Sequence, residues 1–352
     1  MEMIEQAYAF KFDGEPLTCK PLGNGHANNT FLLTDDALKR YTLQRINKAV
    51  FPNPQAVLLN VMGVTEHLRG KGVSPVLSLI PAKTGLRWHI DEKGCYWCAY
   101  HFIENGVCME KAENPDDFRE CASAFGKFQK ALSDFNAAGL CETIERFHDT
   151  PNRYARLREV VAAFPSCSRK VSRELTFALK REKYAGTLTK RLVRGELPLR
   201  VTHNDAKPNN VLFDQTTRKA VCVIGLDMVM PGLTAYDFGD AIRFGASTGA
   251  EDERDLSKIG LSLPLFEAFA EGFLSECGGA LTANEKNSLV DGALIMTLEQ
   301  GVRFLTDFLN GDIYYQTSRE RQNLDRARTQ FKLAENMEAH RAEMDAIIRK
   351  YC

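Results

Sequence analysis

Up to about residue 105, short stretches of alternating apolar and polar residues predict strands; beyond residue 116, apolar positions three and four apart predict long helices. Pro16 to Lys20 and Thr30 to Thr34 read as strands flanking Gly23-Asn24-Gly25, with Lys39 to Arg45 as a third. Asn53 to Leu68 follows a Pro-Asn-Pro start and carries Val57, Leu58, Val61, Val64 and Leu68 at helical spacing, which predicts a helix. Pro75 to Pro81 and Tyr96 to Ile103 complete a small sheet. From Asp116 onward, Phe118, Cys121, Ala122, Phe125, Phe128 and Leu132 fall on one face of a long helix. Charged residues dominate 168–195, the pattern of a solvated helix face. Val211 to Phe213 and Ala220 to Leu226 read as two apolar strands joined by a polar turn, and after about residue 250 the chain is helical. The order predicts an α+β fold of two lobes. Residues 1–104 form a small β-rich N-lobe with one helix, and residues 105–352 a larger, mainly helical C-lobe.

Composition narrows the partners. With 352 residues the chain fits two lobes better than one small core. Lys+Arg 45 against Asp+Glu 46 gives a net charge of −1, which leaves no electrostatic case for nucleic acid or an anionic membrane. No uncharged apolar stretch is long enough to span a bilayer, and Met1 to Glu5 lacks a signal-peptide pattern, so a cytoplasmic protein is expected. The 10 cysteines are scattered and fit reduced thiols. Cys95-Tyr96-Trp97-Cys98 has metal-knuckle spacing, but it lies in a strand-like run with no second pair, so a structural role is expected.

The segment His203-Asn204-Asp205-Ala206-Lys207-Pro208-Asn209-Asn210 carries the most chemistry. An aspartate five residues before an asparagine, with a lysine two after the aspartate, matches the catalytic loop of protein-kinase-like enzymes. In that pattern Asp205 accepts the proton of the substrate hydroxyl, Asn210 holds Mg²⁺, and Lys207 sits where charge builds on the phosphoryl group. The loop Gly23 to Thr30, with Gly23, Gly25 and Asn28, lies between two strands and has the backbone freedom to fold over nucleotide phosphates. It is not a Walker A loop, because Gly-Lys-Ser/Thr is missing. A second metal carboxylate belongs on the strand after Asn210, and Asp227 at the end of Val221 to Asp227 is the nearest. Asp237-Phe238-Gly239 lies too far along and follows no strand-like run. Arg303 and Asp307, four apart, share a helix face ended by Gly311, either as an internal ion pair or as a polar wall for the acceptor substrate.

These motifs, with Pro21-Leu22-Gly23-Asn24-Gly25-His26, Tyr41 to Asn47, Phe147-His148-Asp149-Thr150-Pro151, Met230-Pro231-Gly232 and Phe238 to Thr248, run almost end to end. In them the chain resembles the aminoglycoside phosphotransferase–choline kinase superfamily, and within it the bacterial N-acetylhexosamine 1-kinases. The resemblance implies a protein-kinase-like fold and use of ATP and Mg²⁺. The reaction it implies is phosphorylation of the anomeric hydroxyl of a small sugar, N-acetylglucosamine or N-acetylgalactosamine. It places Phe102, Ile103 and Glu104 at the hinge beside adenine, and His26, Arg303 and Tyr314 at the sugar or phosphates. Gln44 stands where many relatives carry a phosphate-binding basic residue. The superfamily's Ile-Asp-Leu-Asp is Ile224-Gly225-Leu226-Asp227 here, so the aspartate expected to bind Mg²⁺ is missing. Asp227 takes its place, or the chain is a weakly active variant or a pseudokinase. On this view an aspartate at position 225 should strengthen the metal site. Another small-molecule kinase, for an aminoglycoside or an amino-alcohol, is the alternative.

Overall fold

In the computed structural model, which describes residues 2–23 and 28–352, the alternation at 40–45 becomes a strand with Tyr41 and Leu43 fully buried on one face. A short helix that the sequence reading did not anticipate, α1 (Glu2–Ala7), precedes an antiparallel sheet. The sheet has five strands in the order β1-β2-β3-β5-β4: β1 (Pro16–Pro21), β2 (Asn29–Asp35), β3 (Arg40–Arg45), β4 (His89–Ile90) and β5 (Tyr96–His101). One face packs Phe31, Leu33, Tyr41 and Leu43 with Ala7, Phe10 and Ile80. The other receives α2 (Pro54–Gly70), whose Val57, Leu58, Val61, Val64 and Leu68 join Cys98 and Tyr100. Helix α2 starts as its sequence dictates, with Pro54 in the first turn and the Asn53 side chain accepting the Ala56 N–H at 3.2 Å.

Pro75 to Pro81 is not a strand. Among the described residues its one ladder contact is an isolated bridge from Leu79 to Tyr100, and His89 and Ile90 pair with Trp97 and Tyr96 farther along the same edge of β5. A proline at each end also removes main-chain donors from the segment.

Beyond β5 lie β6 (Gly106–Cys108), β7 (Arg200–Thr202), β8 (Val211–Asp214), β9 (Ala220–Val223) and β10 (Met230–Gly232), in two small sheets, β6-β8-β9 and β7-β10. The rest is helical: α3 (Pro115–Ala131), α4 (Thr150–Ala163), α5 (Pro165–Lys170), α6 (Ser172–Arg181), α7 (Thr187–Val193), α8 (Thr234–Gly245), α9 (Leu263–Cys277), α10 (Ala283–Lys286), α11 (Leu289–Leu309), α12 (Gln322–Ala339) and α13 (Arg341–Tyr351). Phe118, Phe125, Phe238, Phe266, Phe269 and Phe273 centre the core of this part. Helices α8 and α11 approach so closely that a Cβ on Gly239 would overlap the main chain of Gly292. The molecule is thus α+β, a small antiparallel-sheet lobe beside a larger helical part. Among the described residues, no helix is long and apolar enough to cross a membrane.

Candidate active site

The catalytic-loop residues leave β7 through Asn204, which adopts a left-handed conformation (φ 62°). That turn is held by Asp237 of α8, buried to 1% exposure. Its carboxylate accepts the main-chain N–H groups of His203 (2.8 Å) and Asn204 (2.7 Å) and the side-chain amide of Gln129 (2.8 Å). Asp237 therefore anchors the loop from behind. Asp205, by contrast, keeps 31% of its side chain exposed. One oxygen lies 3.0 Å from Lys207 Nζ, and the other accepts Asn210 Nδ2 at 2.8 Å. Burial pushes the Asp205 pKa up, but the charges of Lys207 and His203 and the bonds from Lys207 and Asn210 outweigh it and hold the carboxyl below its ordinary value. The expected proton acceptor is thus ionised at neutral pH.

Ile224 to Asp227 does not continue the strand. β9 ends at Val223, Gly225 is left-handed (φ 69°, ψ 39°), and Leu226–Met228 is a 3₁₀ turn. Apolar character ran unbroken through the segment; the glycine is what ends it. The turn is pinned by three side chains. His203 Nε2 bonds Ile224 O (2.8 Å), Asn204 Nδ2 bonds Met228 O (2.9 Å), and Asn60 Nδ2 of α2 bonds Val229 O (2.8 Å). Asp227 accepts Gln44 Nε2 of β3 at 3.3 Å, a bond from the sheet to the helical part. Burial pushes the Asp227 pKa up to about 6, against the opposing pull of Asn28, Gln44 and His203. The Asn210 side chain fills the space above Gly225. A Cβ there would overlap its Oδ1 and stand 2.9 Å from its Cγ.

These side chains fit Mg²⁺. Asn210 Oδ1 and the carboxylates of Asp205 and Asp227 are hard oxygen donors on one short stretch of structure, the type Mg²⁺ prefers. Among the described residues no three His, Cys, Asp or Glu side chains converge, so the ion would rest on few protein oxygens. Magnesium sites completed by phosphates and water have that character.

In the loop expected to cover the nucleotide, Gly23 has φ 71°, while Gly25 and His26 lie outside the described residues. Asn28 is buried, and its Oδ1 accepts the Asn47 N–H at 2.8 Å. At the expected hinge, the Arg40 guanidinium lies 4.5 Å over the Phe102 ring and pairs with Glu104, so that carboxylate is already engaged; Ile103 between them is half-buried.

At the expected acceptor wall, Arg303 and Asp307 do not pair. Asp307 accepts the N–H groups of Ile313 (3.1 Å), Tyr314 (2.9 Å) and Tyr315 (2.9 Å) and the Asn323 amide (3.0 Å), which folds the segment after α11 back onto the helix. Arg303 sits among aromatic rings, 5.0 Å from the centroid of Phe147, 5.6 Å from Tyr315 and 6.0 Å from Tyr314. Its hydrogen bond within the protein is to Gln300 Oε1 (3.1 Å), and among the described residues no carboxylate pairs with it. One turn earlier, buried Glu299 accepts His148 Nδ1 (2.9 Å) and the Thr150 hydroxyl. Arg243, paired with Asp240 (2.8 Å) and Glu251 (2.7 Å), carries a charge that acts on both Arg303 and Lys207. Phe244 lies 5.9 Å from Lys207 Nζ.

Asp205, Lys207, Asn210, Asp227, Gln44 and Asn28 therefore come together, and Arg303 and Tyr314 form a separate wall linked to them through Arg243. The sequence reading set Asp237 aside rather than seeing it as an anchor, missed Asn60, and gave no role to Glu299 or to His148 and Arg243 inside the motifs it quoted. Only the four-residue spacing of Glu299 and Arg303 hinted at that wall.

Residues 18–271 match the phosphotransferase enzyme family. The fold is shared with the microcompartment-associated aminopropanol kinase (TM-score 0.63, 15% identity, 97% of each chain). It is also shared with an aminoglycoside phosphotransferase of Alicyclobacillus acidocaldarius (TM-score 0.66, 12% identity, 98% of this chain and 96% of that one). Spectinomycin phosphotransferase, solved with ADP and spectinomycin, aligns at TM-score 0.62 and 13% identity, over 96% of this chain and 98% of its own. With an enzyme-family match spanning most of its length, and a protein-kinase-like fold around Asp205, the chain belongs to the phosphotransferase enzyme family.

Proposed function

We propose that this protein transfers the γ-phosphoryl group of ATP to the anomeric hydroxyl of an N-acetylhexosamine, giving the sugar 1-phosphate in the cytoplasm. The observation that carries the acceptor class is Arg303. A guanidinium without a carboxylate partner, ringed by Phe147, Tyr314 and Tyr315, suits a neutral ligand with oxygen acceptors and an apolar sugar face. It repels a cationic amine, so it disfavours the amino-alcohol and aminoglycoside acceptors that the names of the structural relatives suggest.

On this reading residues 1–104 cover the nucleotide and 105–352 supply the catalytic loop and sugar wall. Gly23, Gly25 and Asn28 lie over the phosphates, Phe102 to Glu104 beside adenine, and His26, Arg303 and Tyr314 on the sugar. Asp205, held ionised by Lys207, takes the proton of the anomeric hydroxyl as the bond to phosphorus forms. The Lys207 ammonium stabilises charge on the transferring group. Asn210 and Asp227 hold Mg²⁺, which when bound neutralises phosphate charge. The ADP complex of the spectinomycin enzyme supports the choice of an adenine nucleotide.

The test is a coupled ADP-release assay over free sugars, amino-alcohols and aminoglycosides, with phosphorus NMR of the product. N-acetylhexosamine turnover with phosphate on the anomeric oxygen is expected. Turnover confined to amines, or phosphate on another hydroxyl, overturns the acceptor assignment. Binding of nucleotide without turnover of any acceptor supports the pseudokinase reading that Gly225 motivates.

A further inference from the structure

Asp227 is bonded by a side chain from a strand on the far side of the cleft, and that side chain is neutral. Register places Gln44 of β3 opposite Thr30 of β2 and Cys98 of β5. The Cys98 thiol lies 3.6 Å from Gln44 Oε1, which turns Nε2 toward Asp227 Oδ2 at 3.3 Å. A flipped amide would set oxygen against carboxylate, so the carboxylate itself selects this orientation. Asn28 adds a second amide. Its Oδ1 is fixed by the Asn47 N–H, and its Nδ2, which has no hydrogen-bond partner among the described residues, lies close enough to favour the ionised Asp227. Among the described residues, the titratable groups acting on Asp227 include His203, Asp205, Cys98 and Tyr100, and no lysine or arginine pairs with it. His203 is committed through Nε2 to the Ile224 carbonyl.

Position 225 explains why neutrality matters. Gly225 supplies no side-chain oxygen, and the Asn210 carboxamide fills the space a side chain there would need. Asp227 is therefore the sole carboxylate on this turn that can serve a metal. A cation at position 44 would form an ion pair with it and compete with Mg²⁺ for the same oxygens.

We propose that Gln44 and Gly225 are a matched pair: the neutral Gln44 amide positions Asp227 without neutralising it, so that its charge serves the Mg²⁺ site in place of a carboxylate at 225. The inference rests on the kinase reading above and assigns Gln44 a positioning role beyond any contact with phosphate.

The test is binding rather than turnover. A non-hydrolysable ATP analogue is titrated into the parent, Gln44→Lys, Gln44→Met and Gln44→Glu proteins at stepped free Mg²⁺, and the Mg²⁺ concentration for half-maximal tightening is read. Gln44→Lys should need at least ten times more Mg²⁺ than the parent, although its metal-free affinity for the analogue is equal or higher. Gln44→Met, which loses the positioning bond but adds no charge, should shift much less than Gln44→Lys, and Gln44→Glu should need less Mg²⁺ than the parent. An unshifted midpoint in Gln44→Lys, or a shift in Gln44→Met as large as in Gln44→Lys, overturns the inference. If Gln44→Lys does not fold, Gln44→Glu decides alone, and an unchanged or raised midpoint there overturns it. A parent that binds no nucleotide at any Mg²⁺ concentration fails the kinase reading first and takes this inference with it. A parent that binds tightly while the series shows no charge dependence fails this inference only.

Discussion

Asn210 and Gly225 occupy a space that only one of them can fill with a side chain. The Asn210 carboxamide, bonded through Nδ2 to both the main-chain oxygen and the side chain of Asp205 (2.7 and 2.8 Å), lies across Gly225 so that a Cβ there would collide with its Oδ1. Gly225 also holds a left-handed conformation (φ 69°). The missing aspartate is thus built into the shape of the site.

This reverses the expectation drawn from sequence for Gly225→Asp. The variant places a non-glycine residue in the left-handed region, at about 1–2 kcal/mol, and displaces Asn210 from Asp205. A lower Tm and a kcat no higher than the parent's are expected from calorimetry and steady-state kinetics. A gain in kcat, or a lower Mg²⁺ requirement, would show that Asn210 relocates without cost and restore the sequence-based view.

Asp237 makes a second prediction. Asp237→Ala strands two buried main-chain N–H groups and removes one of the two hydrogen bonds of the Gln129 amide, which keeps its bond to Val201 O. At roughly 1–3 kcal/mol for each unsatisfied group, the urea midpoint should fall by at least about 2 kcal/mol in stability, with kcat falling as the His203–Asp205 loop loosens. Normal stability with lost activity would instead make Asp237 a participant in the chemistry.

What sequence revealed, and what it hid, follows from the range of each interaction. The catalytic loop was legible because its residues lie within eight consecutive positions and their roles follow from spacing. Helices α2 and α3 were legible because each buries one stripe of apolar residues. Pro75 to Pro81 misled because an apolar run does not show that the edge of β5 is shared with His89 and Ile90. The run into Asp227 misled because the left-handed glycine that breaks the strand is a single residue. The His148–Glu299 contact joins residues 151 apart, and no local pattern announces it. Asp307 shares a helix face with Arg303, yet the groups it bonds are main-chain N–H groups, which have no sequence signature.

Arg303 and Asp307 should separate in kinetics. Arg303→Ala removes a charged donor without a carboxylate partner among the described residues, so the KM for the acceptor substrate should rise about tenfold or more, as expected for a bond worth about 1.5–3 kcal/mol, with the ATP KM unchanged. Asp307→Ala frees the 313–315 segment, so Tm should fall as well. Equal effects of Arg303→Ala on both KM values would assign Arg303 a structural role.

Glu299 ties the acceptor wall to pH. It is 2% exposed. Burial raises its pKa, but the His148 charge and hydrogen bond, the Arg303 charge and the Thr150 hydroxyl together hold it below the usual value. A carboxylate whose folded-state pKa lies below its unfolded value binds fewer protons in the native state. Its stabilisation is complete above the unfolded pKa, about 4.3 for glutamate, and is lost as pH falls through the lower folded value. Glu299→Gln removes that contribution and turns an N–H₂ group toward either His148 or Thr150. At pH 7 the variant should be less stable by about 1.5–3 kcal/mol, the range for a hydrogen bond to a charged group. In urea unfolding at progressively lower pH, the gap between parent and variant should close as Glu299 takes up its proton. A constant gap across that range would mean that shape alone is lost. A wider gap in acid would mean that the His148 charge does not set the Glu299 pKa, and that the wall beneath Arg303 is held by packing instead.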